Sequence, residues 1–138
     1  AIDMQDDFGS FLRRREAAAQ SYSNGDATSL CEIAAESDQA TFFHHTQGFT
    51  KGAAAVQTVY RDGATAFGAG GSTWFDIRDK GQDGDIGYWT GFQFADVMLT
   101  GQLEKQTLKV NVTEIFRHDG TAWRLIHRHA SLPAQIDG

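Results

Sequence analysis

Leu108 to Pro133 reads LKVNVTEIFRHDGTAWRLIHRHASLP, and this stretch decides the fold. Two runs rich in β-branched and aromatic residues flank His118-Asp119-Gly120-Thr121, and an Asp-Gly pair between such runs is a strong hairpin signal. The second run carries Trp123, His127, His129 and Ser131 at alternating positions, which a regular strand places on one face. A tryptophan, two imidazoles and a hydroxyl on one sheet face point to a pocket rather than a plain core.

Upstream, Ser72–Lys80 (STWFDIRDK) and Asp85–Val97 (DIGYWTGFQFADV) also read as strands, with a hairpin predicted at Gly81-Gln82-Asp83-Gly84 and a loop near Thr100 to Gln102. The amino-terminal half is helical in period. Met4, Phe8, Phe11, Leu12, Ala18, Ala19 and Tyr22 recur at spacings of three and four, predicting an amphipathic helix from Asp3 to Ser23 that Asn24-Gly25 stops. Asp26 or Thr28 caps a second helix through Glu36, ended by Ser37-Asp38. Ala40 to Thr46 reads as a short strand, Gln47-Gly48 as a turn, and Gly52 opens a third helix from Ala53 to Phe67. Gly68 to Ser72 lacks the lysine and spacing of a phosphate loop.

Three helices with one early strand, followed by four antiparallel strands, make an α+β layout with the helices on one face of the sheet. The segments IGYWTGFQF, VNVTEIF and WRLIH are apolar on both parities. A sheet with one face in water alternates more cleanly. The second face is therefore expected against another copy of the chain, as a homodimer.

The 138 residues fit a single domain spanning 1–138. A net charge of −6 argues against nucleic acid and anionic membranes as partners. No apolar run approaches the ~20 residues of a membrane span. The start AIDMQDD lacks the basic and apolar regions of a secretion signal, so the cytoplasm is the expected location. Arg13-Arg14-Arg15 beside Glu16 reads as a solvated helix face. Cys31, the single cysteine, lies among Leu30, Ile33 and Ala34 and reads as a structural thiol.

GDATSL near the second helix, HHTQGFTKGAAAV at the third, GDIGYWTG in a central strand and HDGTAWRLIHRHAS at the end resemble the nuclear transport factor two-like superfamily. Within it they are similar to the SnoaL-like and ketosteroid-isomerase-like branch, over Phe8 to Pro133. The resemblance implies a cone-shaped barrel, cystatin-like, in which a strongly bent antiparallel sheet wraps around three amino-terminal helices and encloses a cavity. It also implies dimerisation through the outer sheet face. Activities in that group include isomerases, cyclases, dehydratases and epoxide hydrolases beside pure binding modules, so fold does not assign function. The carboxylate base of the isomerase and cyclase branches has no residue-by-residue match here. Asn111 stands where an arginine often precedes the Val-Thr pair.

For catalysis the candidates are His129 and His127, whose ordinary pKa of about 6.5 suits proton transfer at neutral pH. Asp76 is a candidate base beside Trp74, Phe75 and Ile77, or else a surface partner of Arg78. Glu114 shares its parity with Val110, Val112 and Phe116. A carboxylate on an apolar face needs a partner, and Arg124 or His127 across the hairpin is the expected one. Candidate ligand-binding residues are Tyr88, Trp89, Trp74, Asn111, His44 and Phe92, with Tyr88 or Asn111 as hydrogen-bond donor. His44 and His45 face opposite ways in a strand, so only one can reach a cavity. No metal and no cofactor are expected. Two functions remain open: a dimeric module whose apolar cavity binds a small hydrophobic molecule, or an isomerase, cyclase or lyase acting on an apolar carbonyl compound through histidine acid/base chemistry.

Overall fold

The computed structural model describes residues 4–36, 39–44 and 48–133. The predicted break at Ser37-Asp38, His45, and the first half of the Gln47-Gly48 turn lie outside the described residues. The chain runs α1 (Met4–Tyr22), α2 (Thr28–Ile33), β1 (Thr41–His44), β2 (Gly48–Lys51), α3 (Ala53–Ala64), β3 (Ser72–Asp83), β4 (Ile86–Met98), β5 (Lys105–His118) and β6 (Trp123–Ser131). The sheet order is β2-β1-β6-β5-β4-β3. This is a cone-like α+β fold.

Three details of the sheet differ from the expected layout, and the second and third helices end earlier than expected, at Ile33 and Ala64. The sheet is mixed and open, not wholly antiparallel, because β1 pairs parallel to β6, with Thr41 opposite His127 and Phe43 opposite His129. Parallel neighbours need a long crossover, and here α3 with β3–β5 supplies it. Gly48 begins a short strand that returns antiparallel along β1. The β3–β4 strands continue past Gly81, and the turn closes later, at Gly84-Asp85, where Gly84 takes a positive φ of 60°.

Bends come from two bulges. In β3 the register slips between Ile77 and Asp79 opposite Gly91 and Thr90, and in β6 Leu125 and His127 face consecutive residues of β5, leaving Ile126 as the extra residue. A bulge bends its strand and increases its twist. At the first bulge only glycine fits, since a Cβ on Gly91 would run into the Asp76 carbonyl oxygen.

Helix α1 lies in the concavity. Toward the turn at 119–122, Phe8 and Phe11 pack on Phe116 and Trp123, with ring centroids 4.7 Å apart for Phe8–Trp123 and 5.1 Å for Phe11–Phe116. Each fully buried ring of this kind contributes roughly 1.5–3 kcal/mol. The polar side of α1 has its own task. Glu16 and Gln20, four apart and so on one helix face, and Asn24 in the turn just past the helix end bond the free backbone edge of β3 and the residues before it. Glu16 accepts from Phe75 N–H, and Gln20 accepts from Thr73 N–H while donating to the Gly71 carbonyl. Asn24 accepts from Gly70 and Gly71 N–H. The helix thus occupies a sheet edge that would otherwise be open for pairing.

Candidate functional site

Beyond the aromatic cluster the interior is hollow. A cavity of about 370 Å³ lies between the three helices and the concave face of the sheet. Its wall is mostly apolar, including Leu30, Phe42, Phe67, Leu99, Val110 and Ala130. The polar wall residues include Arg15, Gln93, Arg128, Tyr22 and Tyr60. Gly63 gives Tyr22 its place, because a Cβ at that position would collide with the Tyr22 hydroxyl.

Against this wall sits a buried charge cluster. Glu114 is fully buried and receives four hydrogen bonds. Arg15 Nε donates to Oε1 at 3.0 Å and Arg15 Nη2 to Oε2 at 2.7 Å. Trp89 Nε1 donates to Oε1 at 2.8 Å and Arg128 Nη1 to Oε2 at 2.6 Å. Burial pushes the Glu114 carboxyl up, but the Arg15 and Arg128 charges and their hydrogen bonds outweigh it and hold the group at about 2. A carboxylate so held is ionised at neutral pH and is a poor proton acceptor. Arg128 Nη2 also donates to Gln93 Oε1 at 2.7 Å. Burial raises the phenols of Tyr60 and Tyr22, so both remain hydrogen-bond donors.

The cluster was only partly legible. Glu114 does need a partner, yet neither Arg124 nor His127 is its hydrogen-bond partner: Arg124 reaches Asp119 and the Glu32 carbonyl instead. Arg13 and Arg14 are exposed as expected, but Arg15 is 2 % exposed and belongs to the interior. Its signal was available, since Phe8, Phe11, Arg15, Ala18 and Tyr22 keep one helical spacing.

The bulge at Ile126 decides the histidines. Trp123 and Leu125 point inward; past the extra residue Arg128 and Ala130 point inward, and His127 and His129 turn to the outer face. Trp123 therefore does not share a face with them, contrary to strict alternation. His127 Nδ1 lies 2.7 Å from Thr41 Oγ1, and burial, then the neighbouring His129, lowers its pKa. The His129 ring lies 5.0 Å from that of Phe43.

Most of the other candidates also lie outside the cavity. Asp76 pairs with Arg78 at 2.9 Å on the surface. Trp74 stacks on Phe94 with centroids 5.7 Å apart, and Tyr88 donates to Asp79 at 3.0 Å, both on the outer face. Phe92, Asn111 and His129 come together there, in a shallow open depression with Ser131. Trp89 is buried behind the cavity, where it serves Glu114. His44 alone of the named candidates lines the cavity, its ring 5.2 Å from Phe42. Among the described residues no three His, Cys, Asp or Glu side chains converge as a metal site, and no helix is long and apolar enough to cross a membrane.

Three helices held in a bent, open sheet, with a hollow beside a solid aromatic core, define the cone-like α+β fold of nuclear transport factor 2-like and cystatin-like proteins. The family profile of the SnoaL-like domain matches residues 14–135, and the chain belongs to that family. Solved structures agree on the fold. A nuclear transport factor 2-like superfamily protein from Salmonella enterica serovar Typhimurium superposes with a TM-score of 0.74 at 17 % identity, over 92 % of this chain and 88 % of that one. An NTF2-like protein of unknown function from Pseudomonas putida gives 0.70 at 18 %, over 99 % and 93 %. A protein from Streptomyces avermitilis, provisionally named a dehydratase of the NTF2-like family, gives 0.70 at 17 %, over 94 % and 96 %. No curated protein matches the sequence.

Proposed function

We propose that this SnoaL-like chain is a small-molecule-binding protein whose cavity takes one hydrophobic molecule, and that it works as a homodimer through its outer sheet face. The observation that carries the binding reading is the hollow itself. Its volume of about 370 Å³ falls within the roughly 300–1,000 Å³ of ligand sites, and its mostly apolar wall with a few convergent polar groups is the usual composition of such sites.

A catalytic reading has less support. His127, His129 and Asp76 lie off the cavity, and Glu114 is held ionised by four donors. His44 and the rim carboxylate Asp62 are the titratable acid/base groups of the described wall, and an isomerase or lyase would use one of them, with a tyrosine as donor. The dimer reading is supported by the apolar outer face, where Trp74 is 45 % and Phe43 41 % exposed.

Calorimetric titration with a panel of single- and fused-ring aromatic and alicyclic compounds tests the binding reading. Saturable binding at one site per chain is expected for some members, and loss of it in Ala95→Phe, whose ring fills the hollow. A panel without any saturable binder overturns it. Turnover of an apolar ketone that His44→Gln abolishes would favour the enzyme instead.

A further inference from the structure

Two guanidinium-bearing side chains stand in the cavity wall, and the carboxylate that neutralises one of them does not. Arg15 and Arg128 line the hollow, whereas Glu114 is not part of its wall. The carboxylate that does belong to the described wall, Asp62, is exposed at the rim. The deep part of the site therefore holds an excess positive charge. Arg128 uses Nη1 for Glu114 and Nη2 for Gln93. Arg15 uses Nε and Nη2 for Glu114, and its Nη1 is buried with no hydrogen-bond partner among the described residues. A buried unpaired guanidinium N–H is an uncommon and costly state.

Building on the binding reading above, we propose that the occupant is an anion-tipped hydrophobe: a small molecule with a carboxylate at one end and an aromatic or alicyclic body. The carboxylate lies at the deep end beside Arg15 and Arg128, with the Tyr22 and Tyr60 hydroxyls as further donors in the same wall. The body lies against Phe42, Phe67 and Leu99, directed toward the rim. Arg15 Nη1 offers a charge-assisted donor to such a carboxylate, and the surrounding apolar wall strengthens the attraction by excluding water. The protein's overall negative charge makes this local reversal of sign a selective feature: an anion gains nothing from the surface and everything from the deep end. A neutral analogue of the same shape leaves the excess charge uncompensated.

The test is calorimetric titration with matched pairs, each acid against its primary amide: benzoate, 1-naphthoate and cyclohexanecarboxylate at pH 7.5. The acids are expected to bind about tenfold or more tighter than their amides. Arg128→Gln leaves Arg15 and Glu114 as a balanced pair, and there the ratio of acid to amide affinity should fall toward one. Glu114→Gln adds to the excess charge and should widen the ratio, which provides a second readout should Arg128→Gln fail to fold. Equal binding of acid and amide to the unaltered protein overturns this proposal and leaves the cavity reading standing. No saturable binding of either member of any pair overturns both.

Discussion

Arg15 of α1 and Glu114 of β5, 99 residues apart, form a two-point ion pair with bonds of 3.0 and 2.7 Å at side-chain exposures of 2 % and 0 %. The pair ties the helix to the sheet where solid core gives way to cavity. Arg128 joins it from β6, so three elements meet on one carboxylate. Such a cluster imposes geometry more than it adds stability, because desolvating the charges offsets much of their attraction.

Breaking the cluster should nevertheless be costly. Arg15→Met leaves Glu114 with Arg128 as its remaining charged partner and should destabilise the fold by about 3 kcal/mol or more. Urea unfolding followed by tryptophan fluorescence measures this. A loss below about 1 kcal/mol would mean that the pair contributes little.

Stability should also fall in acid through this carboxylate. Its folded value of about 2 lies below the ordinary 4.5, so the unfolded chain takes up the proton first as pH drops. The contribution is complete above about pH 4.5 and is lost progressively toward pH 2, on the order of 3 kcal/mol over the window. In Glu114→Gln the urea midpoint should be lower at pH 7 but depend less on pH between 5 and 3. Parallel pH curves for the two proteins would contradict this.

Gln20 closes the edge of β3 with two backbone hydrogen bonds, at 2.7 Å each. Gln20→Leu keeps the bulk but unpairs Thr73 N–H, while the Gly71 carbonyl keeps Asn24 Nδ2 as its donor at 2.9 Å, and the change should cost about 1–3 kcal/mol. Amide hydrogen exchange at Thr73 should accelerate well beyond the change at Val112 in the sheet centre. Unchanged protection at Thr73 would show that the helix does not seal that edge.

His127 and His129 lie on the face away from the hollow. Replacing either by alanine should leave cavity affinity within about twofold, the scale of a surface substitution. A tenfold loss of affinity on titration would return them to the binding site.

Trp74 and Phe94 form an exposed stacked pair on the outer face. Trp74→Glu places a charge where the proposed dimer buries apolar surface, and should shift the sedimenting species from dimer to monomer without lowering the thermal midpoint of the monomer. A single monomeric species for the unaltered protein would remove the dimer.

Much of this was readable from local pattern. The helical period of Phe8, Phe11, Ala18 and Tyr22, the Asp119-Gly120 turn and the alternation of Tyr88, Thr90 and Phe92 against Trp89 and Gln93 all follow from short-range sterics and periodicity. So does the need of Glu114 for a partner, which its apolar neighbours impose. These features are set within a few residues of chain, and the sequence by itself determined them.

What faces the cavity was decided only by the tertiary structure. One unpaired residue, Ile126, reverses the facing of everything after it, bringing Arg128 inward and sending His127 and His129 outward. Where that residue falls depends on hydrogen bonding with β5, and the alternation of β6 alone carries no trace of it. The same holds for Arg15 meeting Glu114 and for β1 lying parallel to β6: each depends on segments distant in sequence, whose meeting is chosen by the packing of the whole interior.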